Sequence, residues 1–127
     1  MKSSDVEYLY NWATQTDFPL RIAPTAVGYS NKDIYFCWLK AQNKNGGGGR
    51  RSVVQDERAA EILSSDEVCF ATVALFEPDT ELGPHKDPPV YGIHYRRIQI
   101  PLYIPSDDCY MIWRGKKVYW EEGVPQL

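Results

Sequence analysis

Apolar residues recur at helical spacing near the N-terminus, where Val6, Leu9, Tyr10 and Ala13 share one side of "SSDVEYLYNWA". Ser4 with Glu7 three positions on forms a capping-box pattern, so the stretch predicts a short first helix. Beyond Pro19 and Pro24, "TAVGYS" and "DIYFCWLK" are rich in β-branched and aromatic residues, and the "NK" between them predicts a tight turn joining two strands. "NKNGGGG" then interrupts the pattern. Consecutive glycines lose much backbone entropy on ordering, so this stretch reads as a mobile connector rather than a cover over a ligand. Ser52 and Gln55 give a second capping-box pattern ahead of "VVQDERAAEIL", which predicts a second helix ending near Ser64. From residue 68 onward the texture is that of strands: "VCFATVALFEP", "RRIQIPLYIP", "CYMIWR" and "KKVYWEEG", each bounded by Pro, Gly, Asp or Ser. Helices first and strands later, without β-α alternation, predict a sheet or barrel with helices packed on one side.

At 127 residues the chain has the size of one small domain, and residues 1–127 are taken as a single unit. Its net charge of −3 gives no basic face for neutralising phosphates, which argues against a nucleic-acid partner. The longest apolar run, residues 68–76, is far shorter than the roughly 20 residues of a membrane span, and no signal-peptide core follows the N-terminal "MK". Three widely spaced cysteines, Cys37, Cys69 and Cys109, suggest neither a disulfide framework nor a zinc knuckle. A reducing, cytoplasmic setting is the expectation.

The chemistry concentrates in "ELGPHKDPPVYG", residues 81–92. In an extended chain His85 and Asp87 project to the same side, so an imidazole nitrogen and a carboxylate oxygen can take neighbouring positions on one metal ion. With a further histidine they would make the facial triad of non-haem iron(II) oxygenases, which leaves positions open for co-substrate and oxygen. The plain alternative is two solvated residues at a strand end. In "RRIQIPLYIP", Ile98, Ile100, Leu102 and Ile104 share one face of an expected strand, and Arg97, Gln99, Pro101 and Tyr103 the other. A guanidinium beside an amide suits a carboxylate ligand, although a solvent-facing strand edge accounts for the same residues. Glu121 and Glu122 are adjacent, so in a strand they face opposite ways and read as structural. "GGGGR" lacks the Lys-Ser/Thr of a phosphate-binding loop.

Taken together and in this order, "LFEPDTELGPHKD", "RRIQIPLYIP" and "YWEEG" resemble the aspartyl/asparaginyl β-hydroxylases, a family of iron(II)- and 2-oxoglutarate-dependent dioxygenases. The resemblance runs from about Ala71 to the end of the chain. It implies a mainly β fold, a double-stranded β-helix or jelly-roll barrel flanked by N-terminal helices, and hydroxylation of an unactivated C–H bond. His85 then matches the first iron-binding histidine and Asp87 the carboxylate that many members carry. Arg97 and Gln99 fall on the strand that lines the 2-oxoglutarate pocket, Gln99 in place of a histidine. Ala74 stands where some relatives have a co-substrate-binding serine. The implied partners are 2-oxoglutarate, dioxygen and a peptide, amino-acid or lipid substrate. The family's second iron-binding histidine and its 2-oxoglutarate-pairing arginine would follow Leu127, so the expectation is a piece of a longer hydroxylase, inactive or nearly so by itself. Two other readings stay open from the residues: a cupin-like binding or structural protein that has lost catalysis, and a zinc hydrolase using His85 and Asp87.

Overall fold

The computed structural model describes residues 1–20, 24–41, 52–86 and 96–126. The expected glycine-rich connector, Asp87 and His94 lie outside the described residues. In chain order the elements are α1 (Ser3–Thr14), β1 (Pro24–Thr25), β2 (Ile34–Lys40), α2 (Glu57–Leu63), β3 (Ala71–Leu75), β4 (Tyr110–Trp113) and β5 (Lys116–Tyr119). They belong to two compact units, one of Met1–Thr16 with Arg96–Leu127 and one of Asp17–Tyr95. Among the described residues the strands form two antiparallel sheets, β1-β2-β3 and β4-β5, and neither closes into a barrel.

In the first unit, α1 buries Leu9, with Val6, Tyr10 and Ala13 half-buried around it, which is the predicted stripe. The cap differs from the expected Ser4/Glu7 box. Lys2 is the N-cap residue, and the Asp5 carboxylate accepts from the Lys2 backbone N–H at 3.3 Å. A carboxylate there faces the positive end of the helix dipole, which Glu7, farther along the helix, does not. β4 and β5 form a hairpin with Trp113 opposite Lys116, so only Arg114 and Gly115 make the turn. Both have positive φ, 49° and 79°, as the type I′ hairpin turn requires. The pairing runs past the strand ends, with the Trp120 N–H donating to the Cys109 carbonyl at 3.0 Å.

The expected strand over "RRIQIPLYIP" does not form. Gln99 makes one antiparallel bridge, exchanging bonds with Gln126 of 2.9 and 2.8 Å. Pro101 and Pro105 carry no N–H, so a continuous ladder cannot pass through the segment. Pro101 still accepts, from the Gly123 N–H at 2.8 Å. Ile100, Leu102 and Ile104 are half-buried as the alternation predicts, whereas Ile98 is exposed. Glu122 is structural, its Oε1 accepting from the Ile104 N–H at 2.8 Å.

In the second unit β2 lies between β1 and β3. Pro24 pairs with Tyr35 and Thr25 with Ile34, so the connection between the strands spans residues 26–33 and not the expected two-residue "NK" turn. Along β2 and β3 the register slips once, with Trp38 opposite Thr72 but Lys40 opposite Ala71. Leu39 is therefore the extra residue of a β-bulge, and the strand's in/out parity resets there. This is why Leu39 and its neighbour Lys40 are both buried. The Lys40 ammonium donates to the carbonyls of Ser65 (3.0 Å) and Val68 (2.6 Å), just beyond the C-terminus of α2. No basic residue lies in the last turn of α2, so a strand lysine supplies the positive charge that a helix end favours. Burial pushes the Lys40 pKa below its ordinary value, partly offset by the Asp66 carboxylate and by Cys69. At its other end α2 is capped by Asp56, whose Oδ1 accepts from the Ala59 N–H at 2.8 Å. Ser52, the expected cap, instead donates its hydroxyl to the Leu39 carbonyl at 2.8 Å. Ala59 and Leu63 are the buried side of α2.

Candidate functional site

His85 sits in a segment that leaves β3 through "EPDT". In this turn the Thr80 N–H donates to the Glu77 carbonyl at 3.2 Å, Pro78 takes the second position and Asp79 the third, at φ 64°. A turn with Pro second and positive φ third is of type II, a place where aspartate is tolerated better than most residues. The chain then runs antiparallel to residues 29–32. Ser30 bridges Leu82, the Asn31 N–H donates to the Glu81 carbonyl (3.1 Å) and the Gly83 N–H to the Tyr29 carbonyl (2.7 Å). The Asn31 side chain adds both of its functions, its Nδ2 donating to the Asp79 carbonyl at 2.9 Å and its Oδ1 accepting from the Glu81 N–H at 2.7 Å. Lys32 donates to the Pro78 carbonyl at 2.6 Å. A chain segment of no regular secondary structure is thus docked by backbone groups that would otherwise need water.

The imidazole of His85 is oriented twice. Its Nδ1 lies 2.7 Å from the Gly83 carbonyl oxygen, and its ring stacks on Tyr29 with centroids 3.7 Å apart and planes 10° from parallel. A carbonyl oxygen only accepts, so Nδ1 carries a proton, and in the neutral ring the lone pair belongs to Nε2. That is the tautomer of a metal-ligating histidine whose other nitrogen is held by a backbone carbonyl. His85 thus presents the tautomer that an imidazole ligand needs. Among the described residues no three His, Cys, Asp or Glu side chains gather where they could hold a metal ion.

Arg97 and Gln99 belong to the other unit and are exposed. Gln99 is fixed through its backbone by the bridge to Gln126. Ala74 lies in β3 opposite Phe36, exposed. Cys37, Cys69 and Cys109 are free, half-buried thiols. Tyr29 and Gly83, which touch His85, and Asn31, which docks the segment before it, are residues that sequence reasoning missed. Asn31 reaches carbonyl and amide groups 48 and 50 positions away, a separation at which no local pattern carries a signal.

The family model of the aspartyl/asparaginyl beta-hydroxylases matches residues 49–126, well over half of the chain and inclusive of His85, Asp87, Arg97 and Gln99. The chain belongs to this family, and its activity class is that of a hydroxylase. No curated protein and no solved structure matches it. Among the described residues no helix is long and apolar enough to cross a membrane.

Proposed function

We propose that this chain is an iron(II)- and 2-oxoglutarate-dependent hydroxylase of an unactivated C–H bond in a peptide substrate, built on the double-stranded β-helix that the family resemblance implies. His85 and Asp87 are the residues that hold the iron. Arg97 and Gln99 serve the co-substrate. The observation that carries the reading is the 2.7 Å contact from His85 Nδ1 to the Gly83 carbonyl, which leaves Nε2 as the ligating nitrogen. The family match supports it from the sequence side.

Bound iron with 2-oxoglutarate supplies oxygen activation, coupled to decarboxylation of the co-substrate to succinate. The protein's own share is placement. The Gly83 carbonyl holds the Nδ1 proton and so keeps the lone pair of the neutral His85 ring at Nε2. The Asp87 carboxylate contributes negative charge that favours a dication. Arg97 would offer its guanidinium to a carboxylate of the co-substrate, and the Gln99 amide would add a further donor. The test is anaerobic iron(II) titration of the wild type and His85→Ala. Since loss of a supporting contact alone typically weakens metal binding about 10- to 100-fold, His85→Ala is expected to lose at least about tenfold in iron affinity. Equal iron affinity in the two proteins would overturn the assignment.

A further inference from the structure

Beyond the ligand itself, the geometry points to Tyr29 as a positioning residue. We infer that its phenol is the platform that fixes the plane of the His85 imidazole and favours the metal-bound ring, an inference resting on His85 as an iron ligand. The short ladder around Ser30 and Leu82 places residue 29 across from residue 83. Gly83 has no side chain there, and a Cβ built on it would meet the Tyr29 carbonyl oxygen at 3.4 Å and Tyr29 Cβ at 4.0 Å. The backbone closes the arrangement. The Gly83 N–H donates to the Tyr29 carbonyl, and the Gly83 carbonyl accepts from His85 Nδ1, both at 2.7 Å. One residue thus holds the histidine twice, through its own ring and through the glycine between them.

The stack has a chemical consequence. Two electron-rich rings prefer an offset or edge-on arrangement to a close parallel one, because their π-faces repel. Here the centroids are 3.7 Å apart at 10°, the arrangement that suits an electron-poor ring over an electron-rich one. Coordination at Nε2 withdraws density from the imidazole and makes it that electron-poor partner. The phenol face then attracts it as it attracts a cation. By linkage, removing the aromatic face weakens metal binding by the same factor that the metal strengthens the stack.

The test uses the whole chain, with zinc(II) as a diamagnetic probe and the histidine ring ¹H–¹⁵N correlations as the readout. Only two histidines are present, and His94→Gln assigns the spectrum. The wild type should show a single Nδ1–H tautomer for His85, with ring protons shifted upfield by the phenol. Tyr29→Phe should keep both features and the zinc affinity. Tyr29→Leu should lose the upfield shift, mix the tautomers and bind zinc about two- to fivefold more weakly, the size of an exposed cation–π contact. Tyr29 is partly exposed, and its carbonyl bond to Gly83 survives a side-chain change, so the leucine variant should fold; Tyr29→Ser serves if it does not. A folded Tyr29→Leu or Tyr29→Ser with the wild-type tautomer and zinc affinity would overturn the inference. If the wild-type His85 ring ignores zinc altogether, the ligand assignment fails, and so does the metal-favouring part of this inference, while the tautomer comparison still decides whether Tyr29 orients the ring.

Discussion

The β2–β3 ladder and the β4–β5 hairpin are both antiparallel pairs, yet they are specified in opposite ways. β4 and β5 are joined by two residues, and their register follows from the turn. β2 and β3 are separated by thirty residues that include α2, and their ladder is interrupted by a bulge at Leu39. That bulge turns Lys40 inward, where its ammonium ties the strand to the carbonyls of Ser65 and Val68. A short-range pair is held by backbone conformation. The long-range pair leans on one buried ammonium with two carbonyl partners, and the two should respond differently to single substitutions.

Lys40 carries the largest expected effect. Lys40→Ala orphans two carbonyls and leaves a void, and should lower unfolding stability by about 2–4 kcal/mol in urea titration. Lys40→Met fills most of that volume but cannot donate, so its expected cost is smaller, about 1–3 kcal/mol. The two variants separate packing from hydrogen bonding. The pH dependence adds a signed test. Burial lowers the native pKa of Lys40, so above that lowered value the native state sheds the proton while the unfolded chain still binds it. Wild-type stability should therefore gain from Lys40 as pH rises from the lowered pKa toward the ordinary value of 10.5, and the gain should vanish in Lys40→Met. A pH-independent difference between the two proteins would remove the buried ammonium from the account.

In the hairpin's unit the corresponding constraint is steric and local. Gly123, the last residue of "YWEEG", has φ 76°, and a Cβ there would meet the Tyr10 ring at 3.2 Å. Two independent demands, a left-handed backbone and a close aromatic ring, fall on one position. Gly123→Ala should cost about 1–2 kcal/mol from the backbone conformation. Its thermal unfolding would show this, and a Tyr10→Leu background should ease the ring's share only. A wild-type midpoint for Gly123→Ala would mean that neither demand is binding.

These cases also divide what the sequence could reveal from what it could not. The apolar stripe of α1 and the strands on either side of "RG" were readable because periodicity and turn chemistry act over a few residues. The α2 cap was misplaced from Asp56 to Ser52 because both carry side-chain oxygens that can cap, and only the fold sends the Ser52 hydroxyl to Leu39. In "RRIQIPLYIP" the alternation marked Ile100, Leu102 and Ile104, which are half-buried, but not the exposed Ile98 or the half-buried Pro101, and the prolines removed the ladder that a strand needs. The motif around His85 was visible as residue types. Its orientation was not, because Asn31 and Tyr29 lie far back along the chain, and the contacts of the Asn31 side chain and the Tyr29 ring form only when the fold brings the two segments together.

The smallest expected effect tests whether the hairpin is as local as its register suggests. Arg114 occupies a left-handed conformation that costs a residue with a Cβ roughly 1 kcal/mol, a cost asparagine bears more easily. Against this, its guanidinium lies 5.3 Å from the centroid of the Trp113 ring, an exposed cation–π contact. At such a site the contact is worth about 0.5 kcal/mol. Arg114→Asn trades the contact for the preferred Asn-Gly turn and should stabilise the protein by about 0.5 kcal/mol, measured as a raised urea midpoint at unchanged slope. Arg114→Asn with Lys40→Met should give the sum of the separate effects, since the residues belong to different units and have different partners among the described residues. A coupling well above the usual scatter of about 0.5 kcal/mol would show that the turn and the β2–β3 ladder are stabilised together, and that the hairpin is not set by its own two residues.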